Sequence, residues 1–215
     1  MVLKQYLMRS SDFQREENYS EFLRLLRDGE YLDVTFDEES GGVSAVHRFH
    51  KFDKQMGYGG IRRGDYERIA VDVLRKNGFR VVLESEVSSP GIKICDGFLD
   101  DVRMEIKAIE GNGTWTISTK LRDAEKQNAN TVILVFPHTD LYSITRVNEG
   151  LRLFNTNPTL GHTQEVTRVV AIVDGSLRAI WDKKATPIEG WSIWEGLRGQ
   201  NGANPFTIPP SDAKV

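Results

Sequence analysis

The sequence predicts an α/β domain in which a mixed central sheet is flanked by helices. Residues 79–86 are rich in valine and leucine, which is typical of a strand, and residues 131–136 form a strongly apolar run. A helical stripe precedes both, with apolar side chains at Tyr66, Ile69, Ala70, Val73 and Leu74. Helical and strand patterns that alternate in this way indicate the α/β class.

The other elements of the predicted core follow from the breaks between apolar segments. Asp100-Asp101 is the predicted turn between two short strands, and residues 88–91 are a predicted break. In order, the predicted core consists of a helix capped by Asp65 and ended by Asn77-Gly78, strands at 79–86, 94–99 and 103–109, a polar helix at 120–128 capped by Ser118 or Thr119, and a strand at 131–136.

The two ends of the chain are predicted to be extensions of this core. Residues 1–60 are polar and mixed and form an N-terminal helical extension, with a helix at 19–27. Residues 61–140 form the core. Residues 141–215 form a C-terminal β-containing extension that completes the domain, with strands at 166–174 and 177–181 and an irregular stretch at 199–210.

Composition limits the functional classes. The formal net charge of the 215 residues is -3, so any nucleic acid must be held by a local basic surface. No apolar stretch is long enough to span a bilayer, and the N-terminus does not resemble a signal peptide, so we expect a soluble protein. The single cysteine, Cys95, excludes an intramolecular disulfide, and we expect it to be buried rather than nucleophilic.

Two acidic residues and a lysine form the strongest candidate for a site. Glu105 and Lys107 are two positions apart on a predicted strand, so they share one face, while Ile106 faces the core. Pairing with the preceding strand would bring Asp96 close to Glu105. Two converging carboxylates would bind Mg²⁺ or Mn²⁺, and Lys107 would orient the attacking water or stabilise the transition state. Charged residues that alternate with apolar ones are also typical of any half-exposed strand.

The spacing of Asp96 and Glu105-Ile106-Lys107 within an α-β-β-β-α-β core resembles the PD-(D/E)XK nuclease superfamily. Cys95 stands where that family has proline. The resemblance implies a restriction-endonuclease-like core and a metal-dependent endonuclease that hydrolyses phosphodiester bonds. The alternative is a catalytically inactive nuclease-fold module that binds nucleic acid or a protein partner.

Residues 42–136 also resemble nuclease domains of contact-dependent growth-inhibition (polymorphic) toxins. The similar segments are residues 46–53, Tyr66-Glu67, Asn77-Gly78-Phe79 and residues 83–86. This resemblance implies cleavage of RNA, with tRNA favoured over DNA. It further implies a toxin effector domain that acts in the cytoplasm after delivery within a secreted toxin, and a cognate inhibitor (immunity) protein as a partner.

The superfamily resemblance suggests additional site residues. Glu67, near the start of the first helix, corresponds to an acidic residue that family members often place there. Glu84 and Glu86 share one strand face and could reach the metal, with Glu84 the better candidate. Gln127 resembles the polar helix residue that often faces this active site, and Lys120 could contact a phosphate. Each of these side chains is also compatible with an ordinary exposed surface.

Two further groups come from the residues alone. Arg62 and Arg63 lie in a glycine-rich basic loop and are candidates to bind the substrate phosphate backbone. His47 and His50 are three apart and are followed by Asp53, a pattern that could hold a metal or act in acid-base catalysis. Because no further ligands have suitable spacing nearby, a structural role is the favoured interpretation for the histidines.

Overall fold

One mixed sheet organises the described part of the protein, and the nine strands found there lie side by side in chain order. The computed structural model describes residues 2–85, 95–156, 165–183 and 191–195. In chain order the elements are α1 (Val2–Asp28), β1 (Tyr31–Phe36), β2 (Val43–His47), α2 (Arg63–Lys76), β3 (Arg80–Leu83), β4 (Gly97–Leu99), β5 (Val102–Ala108), α3 (Thr116–Glu125), β6 (Thr131–Phe136), α4 (Ile144–Thr156), β7 (Arg168–Val173), β8 (Ser176–Lys183) and β9 (Trp191–Glu195).

The directions of neighbouring strands confirm the predicted mixed sheet. Three pairs, β2–β3, β5–β6 and β6–β7, are parallel. The other five pairs are antiparallel, including the β3–β4 and β4–β5 pairs that surround the candidate site. Helices connect the parallel strands β2–β3 and β5–β6, as parallel connections require.

Helices cover both faces of the sheet, which confirms the predicted α/β class. Strand β6 is fully buried, as its apolar run predicted. Its residues Val132 and Leu134 pack in the cluster formed with α3 and α4, and Ile133 and Val135 pack on the opposite side with α2. Each buried side chain of this kind contributes roughly 1.5–3 kcal/mol to folding.

The predicted helix caps were wrong, and the structure gives the reason. Helix α2 begins at Arg63, so Asp65 lies in its first turn. Backbone carbonyls of the preceding loop accept hydrogen bonds from the first amides of the helix. The amide of Arg63 donates to the carbonyl of Gln55, and the amide of Gly64 donates to the carbonyl of Asp53, both at 2.9 Å. No side-chain cap is needed there. Helix α3 likewise begins before the predicted caps Ser118 and Thr119, which lie within it.

Other differences concern the flanking regions. The helix predicted at 19–27 belongs to the much longer α1, and the strands β1 and β2 follow it within residues 1–60. Helix α4 was not predicted. The sheet crosses positions 60 and 140 without a break in its order. The expectations for residues 88–91 and 199–210 lie outside the described residues. Among those described, no helix is both long and apolar enough to cross a membrane.

Gly97 sets the start of the short strand β4. A Cβ atom at this position would lie 2.0 Å from the carbonyl oxygen of Val82 and 2.9 Å from the Cα of Leu83. Both atoms belong to the backbone of β3, so they cannot rotate away. The close approach of β4 to β3 therefore requires glycine here.

Replacing Gly97 with alanine should destabilise the protein by about 1–3 kcal/mol or more, because the added methyl group forces β3 and β4 apart. Urea denaturation of the purified variant measures the change. Gly111→Ala is the matched control, since a Cβ there meets no atom within 4 Å. Equal destabilisation by the two substitutions would contradict the close packing of β4 against β3.

Candidate metal and catalytic site

The candidate site lies where β4 begins and β5 continues beyond it. The ladder between these strands starts at the pair Gly97–Met104, so the later residues of β5 extend past β4. Asp96 is bonded to β5 through both its carboxylate and its backbone amide. Its Oδ2 accepts a hydrogen bond from the amide of Ile106 at 2.7 Å, and its amide donates to Oε2 of Glu105 at 3.0 Å. These bonds fix the two carboxylates side by side on one face.

Lys107 and Gln127 complete this group. The ammonium of Lys107 donates to Oε1 of Glu105 and to Oε1 of Gln127, the latter at 3.0 Å. Gln127 lies just beyond the end of α3. Helix α3 therefore covers the site on the face of the sheet towards which Glu105 points. The side chain of Glu105 is 2% exposed and that of Lys107 is 17% exposed. Sequence spacing alone predicted that Asp96, Glu105 and Lys107 would converge, and the structure brings them together.

The electrostatics of the site favour an added cation. Burial raises the pKa of Glu105 from 4.5 to about 7, and the charge of Asp96 adds to the rise. Burial also raises the pKa of Asp96, against the opposing effects of the Ile106 amide, of the Lys107 ammonium and, to a smaller extent, of the His50 ring. Two buried carboxylates thus face a single lysine. A divalent cation would favour the ionised form of both.

The donor set of the pair fits Mg²⁺ or Mn²⁺. Both donors are carboxylate oxygens, the ligands that such hard cations prefer. In the parts of the chain that the structure describes, no group of three or more His, Cys, Asp or Glu side chains is arranged to hold a metal. Mg²⁺ is commonly held by one or two carboxylates with waters in its other positions, and Asp96 and Glu105 could serve as such a pair.

His50 is the residue near the site that sequence reasoning assigned to a structural role. Its side chain is fully buried. Nδ1 lies 3.0 Å from the carbonyl oxygen of Glu84, and Nε2 lies 3.2 Å from Oε2 of Glu67. Because the amide of Glu84 donates to the carbonyl of Asp96, His50 links helix α2 to the backbone of the site. The spacing of His47, His50 and Asp53 drew attention to His50, but it did not relate His50 to Glu67, Glu84 or Asp96, which lie far along the chain.

Two predicted acidic residues lie beside the site in different ways. The carboxylate of Glu67 contacts His50, so its link to Asp96 is indirect. The carboxylate of Glu84 accepts a hydrogen bond from the hydroxyl of Tyr31 at 2.8 Å. Burial and the nearby Glu84 carboxylate raise the pKa of that tyrosine. Glu84 therefore reaches the site through its backbone, while Glu86 lies outside the described residues.

The predicted phosphate-binding residues have unequal environments. Arg63 forms an ion pair with Glu110, with Nη2 and Oε2 2.9 Å apart. Arg62 is exposed and Lys120 is half-buried. Among the described residues, no hydrogen bond or ion pair joins Arg62 or Lys120 to the carboxylate pair. Arg63 is thus positioned by Glu110, which follows Lys107 by three residues on the same segment.

Cys95 is buried, as expected from its sequence context. Burial raises the pKa of its thiol above the ordinary value, and the thiol group lies 3.5 Å from the carbonyl oxygen of Gly97. A thiol with a raised pKa is a poor nucleophile. The Cys95 side chain packs in the apolar cluster formed with α3 and α4.

The fold defines the class of protein as an α/β protein with a mixed sheet covered by helices on both faces. Comparison with protein-family models, curated proteins and solved structures found no match. Any functional conclusion therefore depends on the residues and geometry described above.

Proposed function

We propose that this chain is a divalent-metal-dependent endonuclease that hydrolyses phosphodiester bonds, of the PD-(D/E)XK kind that its sequence resembles. One observation carries the proposal: the hydrogen bonds of Asp96 with the Glu105 carboxylate and the Ile106 amide hold two buried carboxylates together beside the ammonium of Lys107. Such a group is costly to bury without a function, because the buried carboxylates outnumber the lysine.

Each residue has a defined role in this proposal. Asp96 and Glu105 would hold Mg²⁺ or Mn²⁺. The bound ion supplies Lewis-acid stabilisation of the charge that develops on the phosphate. Lys107 orients the attacking water or stabilises the same charge with its ammonium group. Gln127 accepts a hydrogen bond from Lys107 and fixes the direction of its amine. Glu67 and Glu84 support the group through His50.

The finer proposals rest on the sequence resemblance of residues 42–136. RNA is the favoured substrate, with tRNA ahead of DNA. The chain would then be a toxin effector domain that acts in the cytoplasm after delivery, and its partner would be a cognate inhibitor protein. Excess negative charge over the whole chain implies that either nucleic acid is held by a local basic surface.

The test is incubation of the purified chain with tRNA, single-stranded DNA and duplex DNA, in Mg²⁺, in Mn²⁺ or in EDTA. We expect fragments of at least one substrate, RNA favoured, with either ion and none in EDTA. Fragments that persist in EDTA would contradict the role of Asp96 and Glu105. Tight binding without fragments in any condition would instead identify the inactive nuclease-fold binding module.

A further inference from the structure

The segment that follows β2 and ends at the first residue of α2, residues 48–63, differs in charge from the rest of the chain. We name it the basic loop. It carries five basic side chains and one acidic side chain, hence a formal net charge of +4, whereas the whole chain has -3. Lys51, Lys54 and Arg62 are exposed and form no ion pair with the described residues. These three cations are therefore available to an anionic ligand.

The basic loop also exposes aromatic side chains. Phe49 is 48% exposed and Tyr58 is 39% exposed. The guanidinium of Arg48 lies 4.9 Å from the centre of the Phe49 ring, and the His47 ring lies 5.6 Å from it at an angle of 40°. About half of the Phe49 side chain stays exposed beside these two neighbours and is accessible to a further planar group. Met56 and Ile61 of the same loop are exposed as well, so the loop groups four exposed apolar side chains with its cations.

The basic loop is held in a defined conformation. Its tip closes through the amide of Gly57, which donates to the carbonyl of Ile61 at 2.7 Å. Phe52 packs beneath it against the α2 cluster, and the guanidinium of Arg68 lies 3.7 Å from the centre of that ring. A surface that is ordered before binding loses less entropy when a ligand arrives.

The position of the basic loop connects it to the candidate site at both ends. Phe49 immediately precedes His50, whose ring contacts the Glu84 carbonyl and the Glu67 carboxylate. At the other end, the amide of Tyr58 donates to Oε1 of Glu110 at 3.0 Å. Glu110 lies three residues beyond Lys107, so the loop runs from the end of β2 to the end of β5. This is the end of the sheet at which the carboxylate pair lies, although Phe52 packs on the α2 face and Glu105 points to the α3 face.

We propose that the basic loop binds an unpaired nucleic-acid strand, with Phe49 and Tyr58 stacked on bases and Lys51, Lys54 and Arg62 on phosphates; this deepens the proposed nuclease function and rests on it. Unpaired bases expose their faces to aromatic rings, and a duplex hides them. Since the rest of the chain is acidic, this loop would dominate attraction to phosphate. Single-stranded segments of RNA or DNA are therefore the substrate class.

The test is fluorescence anisotropy of the full chain in EDTA, with labelled strands of about 12 nucleotides as RNA, DNA and DNA duplex. EDTA prevents metal-dependent cleavage, so binding is measured alone. We expect the single strands to bind at least about tenfold more tightly than the duplex. Phe49→Ala and Tyr58→Ala should each weaken single-strand binding about 5- to 100-fold. Replacing Lys51, Lys54 and Arg62 together by glutamine should reduce the salt dependence by about two counterions.

Matched controls are Phe13→Ala, which removes a 61% exposed aromatic ring on α1, and Arg27→Gln, which removes an exposed cation there. Neither should change binding, and unchanged melting temperatures show that all variants fold. Equal or tighter duplex binding, unaltered affinity of the Phe49 and Tyr58 variants, or no binding of any strand at low salt would each overturn the inference. Strand binding in EDTA without cleavage in Mn²⁺ would keep the inference and reject the nuclease.

Discussion

Replacing Glu105 with glutamine is expected to reduce metal-dependent cleavage about 100- to 1,000-fold or more while the fold stays intact. Glutamine has the shape of glutamate and can still accept the hydrogen bond from the Asp96 amide. It lacks the charge that a divalent cation needs from this ligand. The single-turnover rate of cleavage in Mn²⁺, on whichever substrate the unmodified chain cuts fastest, measures the effect.

A second substitution in the carboxylate pair and a control on the surface accompany this test. Asp96→Asn should cause a similar loss, because it removes the second carboxylate of the pair. Glu17→Gln is the control, since Glu17 is an exposed carboxylate on α1 and its substitution should leave the rate unchanged. Cleavage retained by purified Glu105→Ala or Glu105→Gln protein would remove the proposed mechanism.

The central strands were predictable because the burial of each side chain there matches the local sequence pattern. Strand β6 is buried on both faces, so every position from Thr131 to Phe136 favours an apolar or β-branched residue. The alternation of Met104, Glu105, Ile106 and Lys107 likewise reflects one buried apolar face and one face towards the site. Local pattern and final environment agree in these segments.

Strand β1 and helix α4 were not predicted, for two different reasons. Strand β1 is at the edge of the sheet, and its half-exposed residues give no clear alternation. Helix α4 did carry a signal, since Val147, Leu151 and Phe154 are buried at helical spacing. This helical spacing of apolar residues is sufficient to predict the helix.

The site was predicted in part for the same reason. Glu105 and Lys107 share a strand, so their common face follows from a period of two. Asp96 was expected within a strand but precedes one, because the tight contact of Gly97 with β3 sets where β4 begins. His50 comes from a loop 46 positions before Asp96, and only tertiary packing brings it there. No local rule relates those two residues.

The same Glu105→Gln substitution is expected to stabilise the metal-free protein by about 1–3 kcal/mol at about pH 8. Burial, followed by the charge of Asp96, raises the pKa of Glu105 to about 7. The ionised carboxylate is therefore unfavourable in the folded state. Loss of its bond to Lys107 acts in the other direction, but Asp96 remains as a counter-charge for that ammonium. The variant leaves one carboxylate facing one lysine.

The pH dependence gives the sign of the effect. Below the ordinary pKa of 4.5, Glu105 is neutral in both states and has no electrostatic cost. Between 4.5 and about 7 the unfolded chain ionises first, so the stability of the folded protein falls as the pH rises. Above about 7 the cost is constant. Urea denaturation in EDTA across this range should show the fall for the unmodified protein and a smaller one for Glu105→Gln, since Asp96 also has a raised pKa.

Asp37→Asn is a control of opposite sign. Although partial burial acts to raise the pKa of Asp37, hydrogen bonds from Ser40 and the charge of Arg75 hold it below its usual value. Its ionised form therefore stabilises the fold, and its contribution is lost as the pH falls through the lowered pKa. The asparagine variant should be less stable at about pH 8. If Glu105→Gln were also less stable there, the Lys107 ion pair would outweigh burial, and the argument for an unfavourable carboxylate pair would fail.

Addition of Mn²⁺ relates this stability measurement to the proposed function. A cation that binds only the folded state stabilises it by about 2.7 kcal/mol at a concentration 100 times its dissociation constant. The unmodified protein should therefore recover at about pH 8 the stability that ionisation of Glu105 removes, and the glutamine variant should gain little. A residue that weakens the metal-free fold and strengthens it with metal is retained for binding rather than for folding. Equal stabilisation of both proteins by Mn²⁺ would place the ion elsewhere.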